Sequence, residues 1–148
     1  MTINHIMPLS ELKIDYQGDE LSTAGDFLVK DGVEYSGTHL IIDLWGASRL
    51  NDPELMEQTL NDCVSACFAT LLHIHIHKFS DTGGLSGVAV LAESHISVHT
   101  WPERDYAAFD VFMCGVTKPL NVIDILNNAF NPKDIKVEEI LRGRKTVS

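Results

Sequence analysis

Cysteine is scarce and odd in number: Cys63, Cys67 and Cys114 are the three in 148 residues. Such a set excludes a disulfide framework. Because the opening Met1-Thr2-Ile3-Asn4-His5 also lacks the basic-then-apolar form of a signal peptide, the expected compartment is the cytoplasm. Long apolar runs are missing too. No stretch approaches the roughly 18 residues of a membrane span, and no membrane partner is expected. Basic residues are few, 11 against 21 acidic ones, for a formal charge of −10. A chain without a basic stripe is a poor partner for nucleic acid. A cationic small molecule, a sulfonium or a diamine, is electrostatically welcome.

What remains is the material of one core-forming unit, with 45 % hydrophobic residues over about the length of a single domain. Residues 1–36 mix acidic, glycine and isolated apolar positions without a sustained period and are expected to form an N-terminal extension, with short strands at Lys13-Ile14-Asp15-Tyr16 and Phe27-Leu28-Val29. The pattern sharpens from Gly37, so the second unit is placed at 37–148. Thr38 to Trp45 is β-prone. Asn51-Asp52-Pro53-Glu54 has the cap, first-turn proline and early acid of a helix start. Met56, Leu60, Cys63, Val64, Cys67, Phe68 and Leu71 then recur at three and four, which lays one apolar stripe on a sheet. Cys63 and Cys67, one turn apart on that stripe, are more simply small buried hydrophobes than a redox pair.

Strands follow at His73–Phe79, Ser86–Leu91 and around Ile96 and Val98, with a turn at Ser80-Asp81-Thr82-Gly83-Gly84. Tyr106 to Cys114 alternates as another strand. A second helix starts at Thr117-Lys118-Pro119, carries Val122, Ile123, Leu126, Ala129 and Phe130, and stops at Asn131-Pro132 before a last strand over Ile135–Leu141. Leu40 to Trp45 echoes Ala107 to Phe112 around an aspartate, and each is followed by a helix and a strand, which suggests a duplicated βαβ unit. The predicted fold is α+β: a two-layer sandwich with a mainly antiparallel sheet and both helices on one face. The bare face then needs a cover, and a second copy of the chain, a homodimer, is the simplest one.

Chemistry concentrates between Leu91 and Glu103, where hydroxyl, imidazole, carboxylate and indole groups crowd together. Ile96 and Val98 alternate with His95, Ser97 and His99, the period of a half-buried strand with one polar face. Ser94 and His99 are five apart, so on a regular strand they point to opposite faces, and they cooperate only if the strand breaks or begins near Ser94.

Ala92-Glu93-Ser94-His95, His99-Thr100-Trp101-Pro102-Glu103 and Tyr106-Ala107-Ala108-Phe109-Asp110-Val111-Phe112 with Cys114-Gly115 resemble, at compatible distances, the small prokaryotic S-adenosylmethionine decarboxylases. The resemblance implies a precursor that cleaves itself at Glu93-Ser94. The serine hydroxyl attacks the preceding carbonyl, the ester undergoes β-elimination, and hydrolysis leaves a pyruvoyl group in place of Ser94. This group forms a Schiff base with the substrate amine and serves as the electron sink, so no external cofactor is needed. The resemblance further assigns His99 as the processing base, Ser86 as a serine that steadies the self-processing intermediate by hydrogen bonding, and Cys114 as the proton donor after carbon dioxide departs. Phe79 and Trp101 are candidates for the sulfonium and adenine, and Glu103 for the ribose hydroxyls. The product would feed spermidine synthesis.

Other readings stay open. Relatives with the same machinery decarboxylate arginine or ornithine, and an uncleaved regulatory homologue would keep Ser94 whole. The loop at residues 80–84 and Arg104-Asp105 depart from the family pattern near the substrate. His39 is expected to be a satisfied edge histidine. His73, His75 and His77 share a strand face and could place two imidazoles on one metal, but a zinc site wants a third ligand and a second shell, so no metal is assigned. Of these three only His77 matches a family histidine, and Arg142-Gly143-Arg144 resembles the family's basic segment near the end.

Overall fold

The computed structural model describes residues 6–7 and 27–146. Its strands are β1 (Ile6–Met7), β2 (Leu28–Lys30), β3 (Val33–Tyr35), β4 (Gly37–Trp45), β5 (Leu71–Lys78), β6 (Leu85–Leu91), β7 (Ser94–Trp101), β8 (Tyr106–Cys114), β9 (Asp134–Arg142) and β10 (Lys145–Thr146). The helices are α1 (Pro53–Ala66) and α2 (Val122–Phe130). The strand expected at Phe27-Leu28-Val29 is present as β2, whereas Lys13 to Tyr16 lies outside the described residues.

Period-two alternation builds the main sheet. Leu40, Ile42 and Leu44 of β4, Ile96 and Val98 of β7, and Ala107, Phe109, Val111 and Met113 of β8 point to one face and are buried. Against them lie Met56, Leu60, Cys63 and Val64 of α1 and Val122, Ile123, Leu126 and Phe130 of α2. The rings of Phe109 and Phe130 meet with centroids 6.1 Å apart, sealing sheet to helix. Asp52 caps α1 by accepting the Leu55 amide at 3.0 Å, and Pro53 takes the first turn where no amide partner is needed. That hydrogen bond, with the Arg49 guanidinium second, holds the Asp52 carboxyl below its usual range.

One periodic expectation fails at the end of α1. The apolar recurrence continues to Phe68 and Leu71, but the helix stops at Ala66, Cys67 caps it, and Phe68 takes a φ of +57°. Its ring is exposed and lies under the Lys118 ammonium instead of entering the core. Leu71 already belongs to β5. Burial pushes the thiol of Cys63 up, and that of Cys67 up to about 12, which suits the small-hydrophobe role.

The main sheet runs β1-β9-β4-β8-β7-β6-β5 with every neighbour antiparallel. Alternating directions make β4 parallel to β5 and β8 parallel to β9, so each helix joins two parallel strands that are not neighbours in the sheet. This is the expected βαβ order occurring twice. Strands β4 and β8 meet at the centre, and the echoed Asp43 and Asp110 share the face away from the helices, with Asp110 opposite Ile41 and Asp43 opposite Ala108. A smaller sheet, β10-β3-β2, joins the two ends of the domain.

Thr100 ties the sheet to the α1 approach. Its buried hydroxyl donates to the Leu50 carbonyl and accepts the Leu85 amide, each at 2.8 Å. Thr100→Val keeps the shape and orphans both groups, so it should lower stability by about 2 kcal/mol or more, read as a shift of the urea midpoint without a change of slope.

Candidate active site

The face of the sheet opposite the helices carries the polar chemistry, and strand register sorts it into rows. One row sets His77, Ser86 and His99 side by side on β5, β6 and β7. The Ser86 hydroxyl and His99 Nδ1 are hydrogen-bonded at 3.0 Å. The same end of the sheet holds Phe79, edge-on to His77 at 4.7 Å, and Trp101, two residues beyond His99. Both aromatics are exposed. Glu103 follows in an exposed 3-10 turn, Pro102–Arg104, closed by Asp105 at a φ of +51°. Phe79, Trp101 and Glu103 thus share one end with Ser86 and His99.

Trp101 has a backing that no motif announced. It stacks on Tyr106 at 5.2 Å, and Tyr106 stacks in turn on Trp45 at 4.3 Å. The Tyr106 hydroxyl donates to Asp43 Oδ1 at 2.7 Å. Burial, then the Asp43 carboxylate, push that phenol up to about 12. The signal was legible in part, since Asp43, Trp45 and Tyr106 all fall on the polar face by alternation, but which of them touch depends on strand order.

The Glu93-Ser94 bond sits elsewhere. Leu91 and Ser94 pair across a tight turn made by Ala92 and Glu93, and β7 begins at Ser94. Ser94 has a φ of +143°, a region that residues other than glycine rarely occupy and that stores backbone strain. The Glu93 carbonyl accepts the Cys114 amide at 3.0 Å. Close approach helps to place Cys114: a Cβ on Gly37, its partner across the ladder, would lie 2.5 Å from the Met113 carbonyl oxygen. Gly115 turns the chain away at a φ of +67°. Glu93, Ser94 and Cys114 therefore form one cluster, and the Cys114 amide draws electron density from the carbonyl that a serine hydroxyl would attack.

The two clusters do not meet within one chain. Pairing of β7 with β6 and β8 is continuous from Ser94 to Trp101. Five residues of extended strand separate Ser94 from His99 by about 16 Å. Between them on the open face, Asp110 bonds to His39 Nε2 and lies 3.5 Å from His95. Arg142 donates to His39 Nδ1 at 3.0 Å, which makes Nε2 the protonated nitrogen that donates to Asp110. His39 is satisfied as expected, although β4 is a central strand and not an edge. His73, His75 and His77 line the open face of edge strand β5, and among the described residues no group of three or more His, Cys, Asp or Glu is arranged to hold a metal ion.

Residues 38–143 match the family model described as S-adenosylmethionine decarboxylase. The chain belongs to that family. Relatives named S-adenosylmethionine decarboxylase proenzyme include one from Methanococcus vannielii, 48 % identical over 72 % of this chain and 89 % of its own length. Another, from Thermomicrobium roseum, is 41 % identical over 72 % of this chain and 93 % of its own. The crystal structure of the adenosylmethionine decarboxylase from Aquifex aeolicus superposes with a TM-score of 0.63 at 34 % identity, covering 72 % of this chain and 90 % of that one. Together with the antiparallel sheet and its two helices, this establishes the α+β sandwich of the family.

Tyr106 gives this family member an alkaline signature. A phenol whose folded value, about 12, exceeds the ordinary 10 contributes stability that is complete below pH 10 and is lost as pH rises through 12. Tyr106→Phe should flatten that part of the stability profile, measured by denaturation at stepped pH.

Proposed function

We propose that this chain is the precursor of a carboxy-lyase, an S-adenosylmethionine decarboxylase that makes its own pyruvoyl group by serinolysis at Glu93-Ser94. The supporting observation is the hydrogen bond from the Cys114 amide to the Glu93 carbonyl, beside a serine held in strained backbone. Attack by the Ser94 hydroxyl forms the ester bond as the amide C–N bond breaks and the proton passes to the freed amine. Loss of the Ser94 Cα proton then expels the Glu93 carboxylate. Water replaces the amine, which leaves as ammonia. The residues present fit the resulting group: Cys114 is half-buried at the same spot, able to return a proton to the substrate carbon. The pyruvoyl group supplies an electrophilic carbonyl for the substrate amine and a sink for the electrons left by carbon dioxide.

His99, the processing base of this reading, is held by Ser86 about 16 Å from Ser94 along β7. A homodimer resolves the separation, with a second copy bringing its Ser86-His99 pair against the first copy's Ser94. The exposed Ile41, Trp45, Val90 and Trp101 on the sheet face away from the helices give such a partner an apolar surface. Phe79 and Trp101 offer rings to the sulfonium and adenine, Glu103 accepts from ribose hydroxyls, and the acidic chain favours the cationic substrate. The product serves aminopropyl transfer to spermidine, in the cytoplasm.

Intact mass after expression tests the cleavage. Two fragments of 93 and 55 residues are expected, the second blocked to amino-terminal sequencing, and Ser94→Ala should leave one full-length chain that releases no carbon dioxide from S-adenosylmethionine. An uncut wild-type chain with turnover would refute the proposal. Co-expression tests the shared site: His99→Ala and Ser94→Ala chains, each uncut alone, should restore cleavage of the His99→Ala chain when mixed. Failure of that rescue in a confirmed mixed dimer would place both groups' action within one copy.

A further inference from the structure

The Glu93 side chain is gripped at both oxygens by a single residue. The Thr70 amide donates to Oε2 at 2.9 Å and the Thr70 hydroxyl donates to Oε1 at 3.1 Å. The Thr70 carbonyl accepts the Ala92 amide at 3.0 Å, so all three of its polar groups engage the turn that carries the Glu93-Ser94 bond. Thr70 lies in the short link between α1 and β5 and is itself exposed, outside the core. The carbonyl of the same glutamate is tied to β8 through the Cys114 amide.

We infer that Thr70 is a positioning residue for self-cleavage, one that acts on the peptide bond through the Glu93 carboxylate. Glu93 is anchored on both sides of its Cα, by its carboxylate to residue 70 and by its carbonyl to residue 114. Neither the turn nor the next residue can then rotate freely, and Ser94 keeps a φ of +143° that a loose turn would let relax. Attack on the carbonyl depends on the hydroxyl staying close and aligned, and a turn that relaxes forfeits that alignment. The grip matters only until the bond is cut, when Glu93 becomes the end of the first fragment and Ser94 has left it. Thr70 therefore governs the rate of maturation and not turnover by the mature site.

The inference rests on the self-cleaving reading above, and the test separates the two. Thr70→Val retains the backbone donor and the side-chain shape while deleting the hydroxyl, and Thr70→Ser restores it. Appearance of the two fragments is followed by gel and intact mass in freshly made protein, and carbon dioxide release is normalised to the fraction cleaved. Thr70→Val should cleave roughly 10-fold or more slowly, the worth of one hydrogen bond to a charged group. Thr70→Ser should cleave near the wild-type rate, and turnover per cleaved site should match wild type in both. Wild-type speed in Thr70→Val overturns the inference, as does a parallel fall in cleavage, turnover per site and melting temperature, which marks a merely structural residue. A wild-type chain that never cleaves overturns the self-cleaving reading itself.

Discussion

One backbone hydrogen bond, from the amide of Cys114 to the carbonyl of Glu93, fastens the end of β8 to the turn between β6 and β7. An ordinary ladder contact of this kind contributes on the order of 1 kcal/mol. In the proposed self-cleavage its acceptor is also the carbonyl under attack, and its donor residue carries the thiol proposed for the later proton step. Packing and chemistry thus share atoms. The continuous antiparallel register around β7 makes this possible, since it fixes which residue of β8 lies beside the turn.

The same regularity that builds the site also divides it. A strand that alternates cleanly buries Ile96 and Val98 under α1 and α2 and leaves Ser97 and His99 on the other face, but it also spaces residues evenly. Ser94 at its start and His99 five positions later, the proposed nucleophile and base, cannot be neighbours without a break in the ladder, and there is none. Along β7 the positive torsion falls at Ser94, where the ladder begins and the least pairing is lost.

Much of this was legible before any coordinates. Alternation in Ile96 to Val98 and in Tyr106 to Cys114 named the core-facing residues, and the cap at Asp52 and the first-turn Pro53 marked the start of α1. Even the conflict between Ser94 and His99 follows from counting. What was hidden depends on which segments become neighbours. Periodicity carried α1 on through Phe68 because a left-handed C-terminal turn has no apolar signature when its residue is not glycine. His39 looked like an edge residue because a strand's own letters do not say what flanks it. Thr70, 23 residues before Glu93 and in a featureless link, had no local mark at all.

The order of strands across the main sheet has a consequence for what a cut chain can do. Everything up to Glu93 supplies β1, β4, β6 and β5, while the remainder supplies β9, β8 and β7, and across the sheet the two sets alternate before running together: β1, then β9, then β4, then β8 and β7, then β6 and β5. Central β4 is clasped on both edges by strands from the other piece, and β3 is likewise laced to β10. Severing the turn therefore frees neither half. The two polypeptides stay woven into one body, and once pulled apart each would lack the neighbours its own strands need, so reassembly would become an encounter between two molecules, sensitive to dilution in a way the uncut precursor is not.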